Sequence, residues 1–308
     1  MEKIAYVFPG QGSQAVGMLA DLAAEHEIIG QTFSEASQVL GYDLWQLVQD
    51  GPAESLNQTD KTQPALLTAS IAIWRAINAT NAVKPDVLAG HSLGEYSALV
   101  CAGVIDFADA VKLVELRGQL MQQAVPAGTG AMFAIIGLDN DAIQKACDDA
   151  AQGDVVSPVN FNSPGQVVIA GEKEAVERAA TACKEAGAKM AVALPVSVPS
   201  HCQLMKPAAD KLADALVAIK FSEPKIKVIN NVDVAAPFTA DAIKDALVRQ
   251  LYCPVRWSET VEAMAADGIT QLVEVGPGKV LTGLAKRINR SLSAKVANDP
   301  ASVAALSE

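Results

Sequence analysis

Hydrophobic positions along the chain form two alternating patterns. Short runs rich in Val, Ile and Leu predict buried strands, and longer segments with a helical period predict helices between them. The clearest strands are 3–8, 87–89, 226–229 and 272–275, and the clearest helices are 64–78 and 106–123. Buried strands that alternate with helices are typical of an α/β fold with a mostly parallel sheet.

The segment that follows residue 128 has a different order of elements. Its pattern predicts strands at 131–137, 155–161, 166–170 and 189–196, with helices at 141–151 and 173–186. This β-α-β-β-α-β order is that of a ferredoxin-like domain. We therefore predict a ferredoxin-like small domain over 128–198, inserted into a main domain formed by 1–127 and 199–308.

Composition and charge limit the environment and the partners. No uncharged apolar run approaches the roughly 18 to 20 residues that cross a bilayer, and Pro9-Gly10 come too early for a signal peptide. The five cysteines are scattered and never spaced C-x-x-C, which argues against a disulfide framework and a zinc site. A formal net charge of -11 would repel a phosphate backbone. We expect a cytoplasmic protein that binds neither membrane nor nucleic acid.

The sharpest motif is Gly90-His91-Ser92-Leu93-Gly94, which has the form G-x-S-x-G. A predicted strand precedes it and a helical pattern follows it, which is the context of a nucleophile elbow and of an α/β-hydrolase-like main domain. The glycines would permit a tight turn, and the Leu93 backbone N–H at the helix N-terminus would face an oxyanion. The alternative is an ordinary strand-turn-helix that contains two glycines.

A serine nucleophile requires a base, and the sequence contains three histidines. His91 adjoins Ser92 at a turn where neighbouring side chains point apart, and His26 lies in a Glu-rich stretch that we predict to be helical and where we expect it to be solvated. His201 follows the small domain, and its place after the serine matches the α/β-hydrolase order. A structural role for His201 stays open, but exclusion of the other two favours it as the base. Cys202 is a rival nucleophile, although a lone cysteine in an apolar setting is typically inert.

Arg117 has mainly apolar neighbours on its predicted helix face, among them Val114 and Met121. A guanidinium that points toward a core requires an anion. It either pairs with an internal carboxylate, extends outward to solvent, or lines a pocket and binds a substrate carboxylate with both nitrogens.

The opening stretch VFPGQGSQA leads into a segment with a helical pattern and raises a further possibility. Gly10, Gly12 and Ala15 fit the spacing of a dinucleotide-binding turn. Such a turn is followed about 20 residues later by an acidic residue at the end of a second strand. Only helical patterning occurs between Met18 and Gln49, which weakens the nucleotide interpretation.

Four motifs together resemble one enzyme family. They are Phe8 to Gln14, Gly90 to Tyr96, Arg117, and Pro199-Ser200-His201. In this order they resemble the acyltransferase family of the malonyl-CoA:acyl-carrier-protein transacylases of bacterial fatty acid synthesis. The acyltransferase domains of fatty acid and polyketide synthases belong to the same family. The resemblance covers nearly the whole chain, including Glu274 to Gly278.

The resemblance implies a role for each of six residues. Ser92 would be the acylated nucleophile and His201 its base, the backbone N–H groups of Gln11 and Leu93 would form the oxyanion hole, Arg117 would bind the malonyl carboxylate, and the Gln250 backbone carbonyl would orient His201. The reaction implied is a ping-pong transfer of malonyl from malonyl-CoA to the phosphopantetheine thiol of acyl carrier protein. No metal or other cofactor is implied, and we expect a monomer.

Carrier proteins of this pathway are acidic, so an acidic chain requires a local basic face to bind one. The candidate residues are Lys279, Lys286, Arg287 and Arg290, in what the pattern predicts to be the last helical segment, together with Lys189 of the small domain. A solvated, charged helix face is the alternative. A serine esterase or thioesterase, and a carrier-binding module without activity, are the rival functions.

Overall fold

The structure, a computed structural model, describes residues 2–80, 82–196 and 198–307. Ser197, within the predicted small domain, lies outside these residues, as do Met1, Asn81 and Glu308. The strands are β1 (Lys3–Phe8), β2 (Val87–Gly90), β3 (Gly130–Ile136), β4 (Val156–Ser163), β5 (Gln166–Glu172), β6 (Met190–Ala193), β7 (Lys227–Ile229), β8 (Ile269–Val275) and β9 (Ser293–Ala297).

The helices along the chain are α1 (Ala20–Glu25), α2 (Glu27–Leu40), α3 (Leu44–Asp50), α4 (Ala53–Leu56), α5 (Thr59–Asn78), α6 (Leu93–Cys101), α7 (Phe107–Ala124), α8 (Asn140–Ala151), α9 (Lys173–Glu185), α10 (Lys206–Val217), α11 (Ala240–Gln250), α12 (Trp257–Ala266), α13 (Val280–Ile288) and α14 (Pro300–Ala304). In the described part of the chain, none of them is both long enough and apolar enough to cross a membrane.

A five-stranded parallel sheet with the order β7-β2-β1-β8-β9 forms the centre of the larger part. Alternate side chains of β1 point to opposite faces of this sheet and pack into two different hydrophobic cores. Tyr6 and Phe8 pack with helices such as α2, α5 and α7, and Ala5 and Val7 pack on the opposite face with α12 and α13. Because both faces of the sheet are covered, the inner strands consist mainly of apolar residues, with Gln271 and Glu274 of β8 among the exceptions, and their sequences show nearly continuous hydrophobic runs. The predicted parallel sheet is therefore confirmed.

A separate four-stranded sheet, with the order β4-β5-β3-β6, is antiparallel throughout. One face packs against α8 and α9 through an apolar core that includes Ile135 and Val176. The other face, which carries Met132 and Val168, packs against Cys202, next to His201. This sheet therefore lies directly behind the loop that carries the candidate base.

Hydrogen bonds connect β4 of the small sheet to the larger part of the protein. Val255 donates its N–H to the carbonyl of Val159 on β4 at 2.8 Å, and Phe161 donates to the carbonyl of Val255 at 3.0 Å. His91, just after β2, contacts Asn162 on β4 through a ring nitrogen to amide oxygen distance of 2.8 Å. These contacts hold β4 against the segment before α12 and against the turn after β2.

The structure corrects three local expectations. The helix after β1 begins only at Ala20, because residues 9–19 form turns and loop. The strand predicted at 189–196 is shorter, Met190–Ala193, and the apolar residues after it line a cavity instead. His26 lies between α1 and α2 in extended conformation rather than inside a helix. As expected, the described residues between β1 and β2 contain helices and no second strand, so the nucleotide interpretation is wrong.

Candidate active site

Ser92 lies at a sharp turn between β2 and α6. Its φ of 51° and ψ of -108° are strained for a residue with a side chain. A Cβ at Gly94 would overlap the carbonyl oxygen of Phe8, and a Cβ at Gly90 would overlap the backbone of Gly94. The two glycines therefore allow the start of α6 to press against the ends of β1 and β2, which presents the serine hydroxyl to the cavity.

Asn231 holds the turn in place. Its side-chain oxygen accepts the Ser92 N–H at 2.7 Å, and its side-chain nitrogen donates to the Gly90 carbonyl at 2.7 Å. This residue was not among those expected from the sequence. The signal that could have found it is the pair Asn230-Asn231 directly after the predicted strand 226–229, at the carboxyl edge of a parallel sheet, where functional side chains are often found.

His201 contacts the serine hydroxyl directly. Its Nε2 lies 2.8 Å from Ser92 Oγ, and its Nδ1 lies 2.6 Å from the backbone carbonyl oxygen of Gln250. A carbonyl oxygen only accepts, so Nδ1 carries the proton and Nε2 is left to accept from the hydroxyl. Burial, and then the positive charge of Arg117, lower the pKa of His201 to about 3. The ring is therefore neutral near pH 7 and can take a proton.

The other candidate groups point elsewhere. The His91 ring bonds to Asn162, and burial lowers its pKa. The Cys202 thiol donates to the Pro199 carbonyl at 3.2 Å, and burial raises its pKa to about 11. A thiol that stays protonated is a poor nucleophile. Among the three histidines, only His201 meets Ser92.

Arg117, on α7, is 1% exposed, so the outward-extending alternative is wrong. One terminal nitrogen donates to Gln63 Oε1 at 2.7 Å, and the other donates to Gln250 Oε1 at 2.9 Å and to Ser92 Oγ at 3.3 Å. Its Nε has no partner in the part of the chain that the structure describes, and none of the salt bridges found there includes Arg117. Burial lowers its pKa. The third alternative, a cation that faces a cavity and lacks an anion, fits these contacts.

These groups face a cavity of about 430 Å³. Among the residues that line it, Gln11, Ser92, Leu93, Arg117 and His201 are called the polar wall below, and Met132, Leu194, Pro195, Val196 and Val198 are called the apolar wall. The polar wall comes from the ends of β1 and β2, from α7 and from the loop after the small sheet. The apolar wall comes from β3 and the segment that follows β6.

Gln11 and Leu93 both line this cavity. Within residues 2–80, 82–196 and 198–307, neither backbone N–H has a hydrogen-bond acceptor. The Gln11 side chain is held separately, because its oxygen accepts from the Thr59 hydroxyl at 2.8 Å. Backbone N–H groups without an acceptor, on residues that line the same cavity as the serine, are the kind of donor that can stabilise negative charge on a carbonyl oxygen under attack.

Comparison with known proteins identifies the family. The model of the acyl transferase domain matches residues 5–306. The malonyl CoA-acyl carrier protein transacylase of Escherichia coli K12 is 67% identical over 308 residues and covers 100% of both chains. The namesake of Bacillus subtilis is 45% identical and covers 98% of this chain and 96% of its own. The chain belongs to the acyl transferase family. It is an acyltransferase, and the resemblance drawn from its motifs is confirmed.

Solved structures agree with this assignment of the acyltransferase. An acyl carrier protein S-malonyltransferase from Vibrio cholerae superposes with a TM-score of 0.97 at 70% identity, with 99% of each chain covered. A malonyl-transacylase solved in complex with its type II polyketide synthase acyl-carrier protein gives 0.98 at 66% identity, with 99% of this chain and 98% of that one covered. The fold of both sheets is therefore shared over the whole length.

Four of the basic residues that the sequence suggested as a docking face lie in or next to α13 of the acyltransferase. Lys279 precedes this helix, Lys286 and Arg287 lie in its last turn, and Arg290 follows it. Arg287 donates to the side-chain oxygen of Gln166 at the start of β5, at 2.8 Å. The expectation that this is the last helical segment is wrong, because β9 and α14 follow. In the described residues, no group of three or more His, Cys, Asp or Glu side chains could hold a metal ion.

Proposed function

We propose that this acyltransferase moves a malonyl group from malonyl-CoA to the phosphopantetheine thiol of acyl carrier protein, through a malonyl-serine at Ser92. The observation that carries the proposal is a single geometry. A serine, a neutral histidine and a buried arginine that lacks a carboxylate partner meet within hydrogen-bonding distance at one cavity. The names of the relatives support the same substrates.

The first half-reaction forms the acyl-enzyme. His201 takes the proton of the Ser92 hydroxyl, and the oxygen attacks the thioester carbonyl carbon. The oxyanion accepts from the backbone N–H groups of Gln11 and Leu93; loss of one such donor typically costs about 100- to 1000-fold in rate. When the carbon–sulfur bond breaks, His201 returns the proton and coenzyme A leaves as a thiol.

The second half-reaction reverses these steps with a different thiol. His201 removes the proton from the phosphopantetheine thiol, and the sulfur attacks the malonyl-serine ester. The carbon–oxygen bond breaks, the serine oxygen regains its proton from His201, and malonyl leaves on the carrier protein. The same dyad acts in both directions because the leaving group of one half-reaction is chemically equivalent to the nucleophile of the other.

Arg117 accounts for the choice of a malonyl group. A buried guanidinium without an anion is costly, and the free carboxylate of malonyl would pair with it. Charge-assisted hydrogen bonds of this kind contribute about 1.5 to 3 kcal/mol. An acetyl group would leave the cation unpaired, so it should load less well. Gln63 and Gln250 accept hydrogen bonds from the guanidinium and hold it next to Ser92 at the cavity wall.

The domain organisation and the docking face belong to the same proposal. The sheet order β4-β5-β3-β6 supports a ferredoxin-like small domain at 128–198 within an α/β-hydrolase-like catalytic domain. We further propose that Lys279, Lys286, Arg287 and Arg290, with Lys189, bind the acidic carrier protein. A role in fatty acid synthesis, a cytoplasmic location, a monomeric state and independence of any cofactor stay predictions.

Steady-state kinetics test the proposal. Initial rates measured against malonyl-CoA at several fixed concentrations of the pantetheinylated carrier protein should give parallel double-reciprocal lines, because coenzyme A leaves before the carrier protein reacts. Intersecting lines would contradict an acyl-enzyme. If free malonate were released without carrier protein as fast as malonyl is transferred in its presence, the thioesterase alternative would be favoured.

A further inference from the structure

Glu95 is a buried carboxylate to which the proposed mechanism gives no task. It lies one turn after Ser92 on α6, is 2% exposed and does not line the cavity. Burying a carboxylate is costly unless hydrogen bonds compensate for the loss of water. Its contacts therefore indicate what the carboxylate does in the fold.

One oxygen of Glu95 accepts two hydrogen bonds. The side-chain nitrogen of Gln250 donates to Oε2 at 2.8 Å, and the backbone N–H of Asn231 donates to the same atom at 3.0 Å. Asn231 in turn holds the Ser92 N–H and the Gly90 carbonyl. Glu95 thus fixes both sides of the nucleophile turn from a single atom.

Gln250 is the residue through which Glu95 reaches the rest of the site. Its backbone carbonyl accepts from His201, its side-chain oxygen accepts from Arg117, and its side-chain nitrogen also donates to the Ser92 carbonyl at 3.1 Å. The two hydrogens and the oxygen of this amide are all used. If the amide were reversed, its nitrogen would face the guanidinium and its oxygen would face the Glu95 oxygen, and both contacts would be repulsive. An acceptor at Glu95 therefore sets the orientation of the amide.

We infer that Glu95 is a positioning residue that holds Gln250 and Asn231, and through them sets the relative placement of Ser92, His201 and Arg117. The inference rests on the proposed function, because it assigns these three residues their roles. This positioning depends on where the accepting oxygen of Glu95 lies, and it does not require the oxygen to be charged. Burial raises the pKa of Glu95 to about 7, against the opposing effect of the hydrogen bonds from Gln250 and Asn231, so the group is partly neutral near pH 7.

Two conservative variants separate position from charge. Glu95→Gln keeps the chain length and an oxygen at the same place, whereas Glu95→Asp keeps the charge and withdraws the oxygen by one methylene. The single-turnover rate of acylation by malonyl-CoA should stay within roughly threefold of wild type for E95Q and fall roughly 10- to 100-fold for E95D, since small displacements of catalytic groups have effects of this size. E95D should also lower the preference for malonyl over acetyl, because the Gln250 amide that accepts from Arg117 is no longer held in place.

Glu274 supplies the matched control. It is also buried, and it accepts from the start of α13 through Leu281 and Thr282. Glu274→Asp should lower thermal stability while it leaves the preference for malonyl unchanged.

Three results of these measurements would contradict the inference about Glu95. If E95D acylates as fast as wild type, or E95Q is as slow as E95D while both stay folded, the inference is wrong. It is also wrong if E95D and E274D lose activity only in proportion to their loss of stability, with the malonyl preference unchanged. If wild type forms no malonyl-serine, the proposed function itself fails, which is a separate result.

Discussion

The two walls of the cavity are built in different ways. Every side chain of the polar wall that takes part in the proposed chemistry is held by hydrogen bonds, and Ser92 and His201 both adopt positive φ, at 51° and 65°. The apolar wall contains no such network. Met132 lies on β3 of the small sheet and packs with Cys202, and Leu194 and Val196 lie in the segment after β6.

This difference separates two tasks. The polar wall must hold reacting atoms within fractions of an ångström, which requires directional bonds and tolerates strain. The apolar wall must enclose an acyl chain and exclude water, which requires only shape and an apolar surface. Substitutions in the polar wall should therefore cost orders of magnitude in rate, and substitutions in the apolar wall should cost little and alter the choice of acyl group.

The largest effect is expected at His201. In the part of the chain that the structure describes, His201 is the only base in contact with the Ser92 hydroxyl, so the rate of acylation by the His201→Ala variant should fall by about 100- to 10,000-fold. Stopped-flow or quenched-flow measurement of coenzyme A release gives this rate. The His26→Ala variant, which alters a histidine between α1 and α2, is the matched control and should behave as wild type. A His201→Ala variant that keeps most of its rate would show that another group is the base.

A smaller and more selective effect is expected at Arg117. The Arg117→Ala variant should lower kcat/KM for malonyl transfer roughly 10- to 100-fold, as expected for the loss of a charge-assisted pair, and should affect acetyl transfer much less. Arg75 on α5 pairs with Glu35 outside the cavity, so Arg75→Ala should leave the ratio of the two substrates unchanged. Equal losses for malonyl and acetyl in the Arg117 variant would remove its assigned role.

The apolar wall should respond more weakly. The Met132→Ala variant should change malonyl transfer by no more than roughly tenfold, and should raise the relative rate for bulkier acyl-CoA substrates, because it widens the cavity without touching a hydrogen bond. Met190 is 53% exposed on β6 and does not line the cavity, so Met190→Ala is its control. A Met132 variant as slow as the His201 variant would remove the distinction between the walls.

The smallest expected effect is on the pH profile. A base with an ordinary histidine pKa of 6.5 would lose activity as the pH falls through that value. The pKa of His201 is lowered to about 3, so its neutral form persists and acylation should stay nearly constant from pH 8 to pH 5. The same shift means that the unfolded chain binds more protons below about pH 6.5, so the contribution of His201 to stability decreases as the pH falls toward 3. A rate that halves near pH 6.5 would contradict the assigned environment.

Much of the fold could be predicted because buried strands and amphipathic helices leave periodic patterns. The error at β6 arose because residues 194–196 are apolar for a different reason, since they line the cavity. Ser92 was found from a motif, His201 from exclusion among three histidines, and Arg117 from an apolar helix face.

The hydrogen-bond partners of these residues could not be found in the same way. Gln63 lies 54 residues from Arg117, and Asn231 lies 139 from Ser92. Side-chain amides carry no spacing that predicts such distant contacts. The role of Gln250 was predicted only from the family resemblance. The contact of Glu95 with Gln250 could not be predicted, because it depends on how α6 packs against α11.

Intact-protein mass spectrometry after mixing with malonyl-CoA tests the central claim most directly. Wild type should gain the mass of one malonyl group and lose it when the pantetheinylated carrier protein is added, and Ser92→Ala should gain nothing. A mass gain that persists in Ser92→Ala would contradict the claim that malonyl is carried on Ser92. Transfer by wild type with no acylated enzyme at any time would contradict an acyl-enzyme altogether.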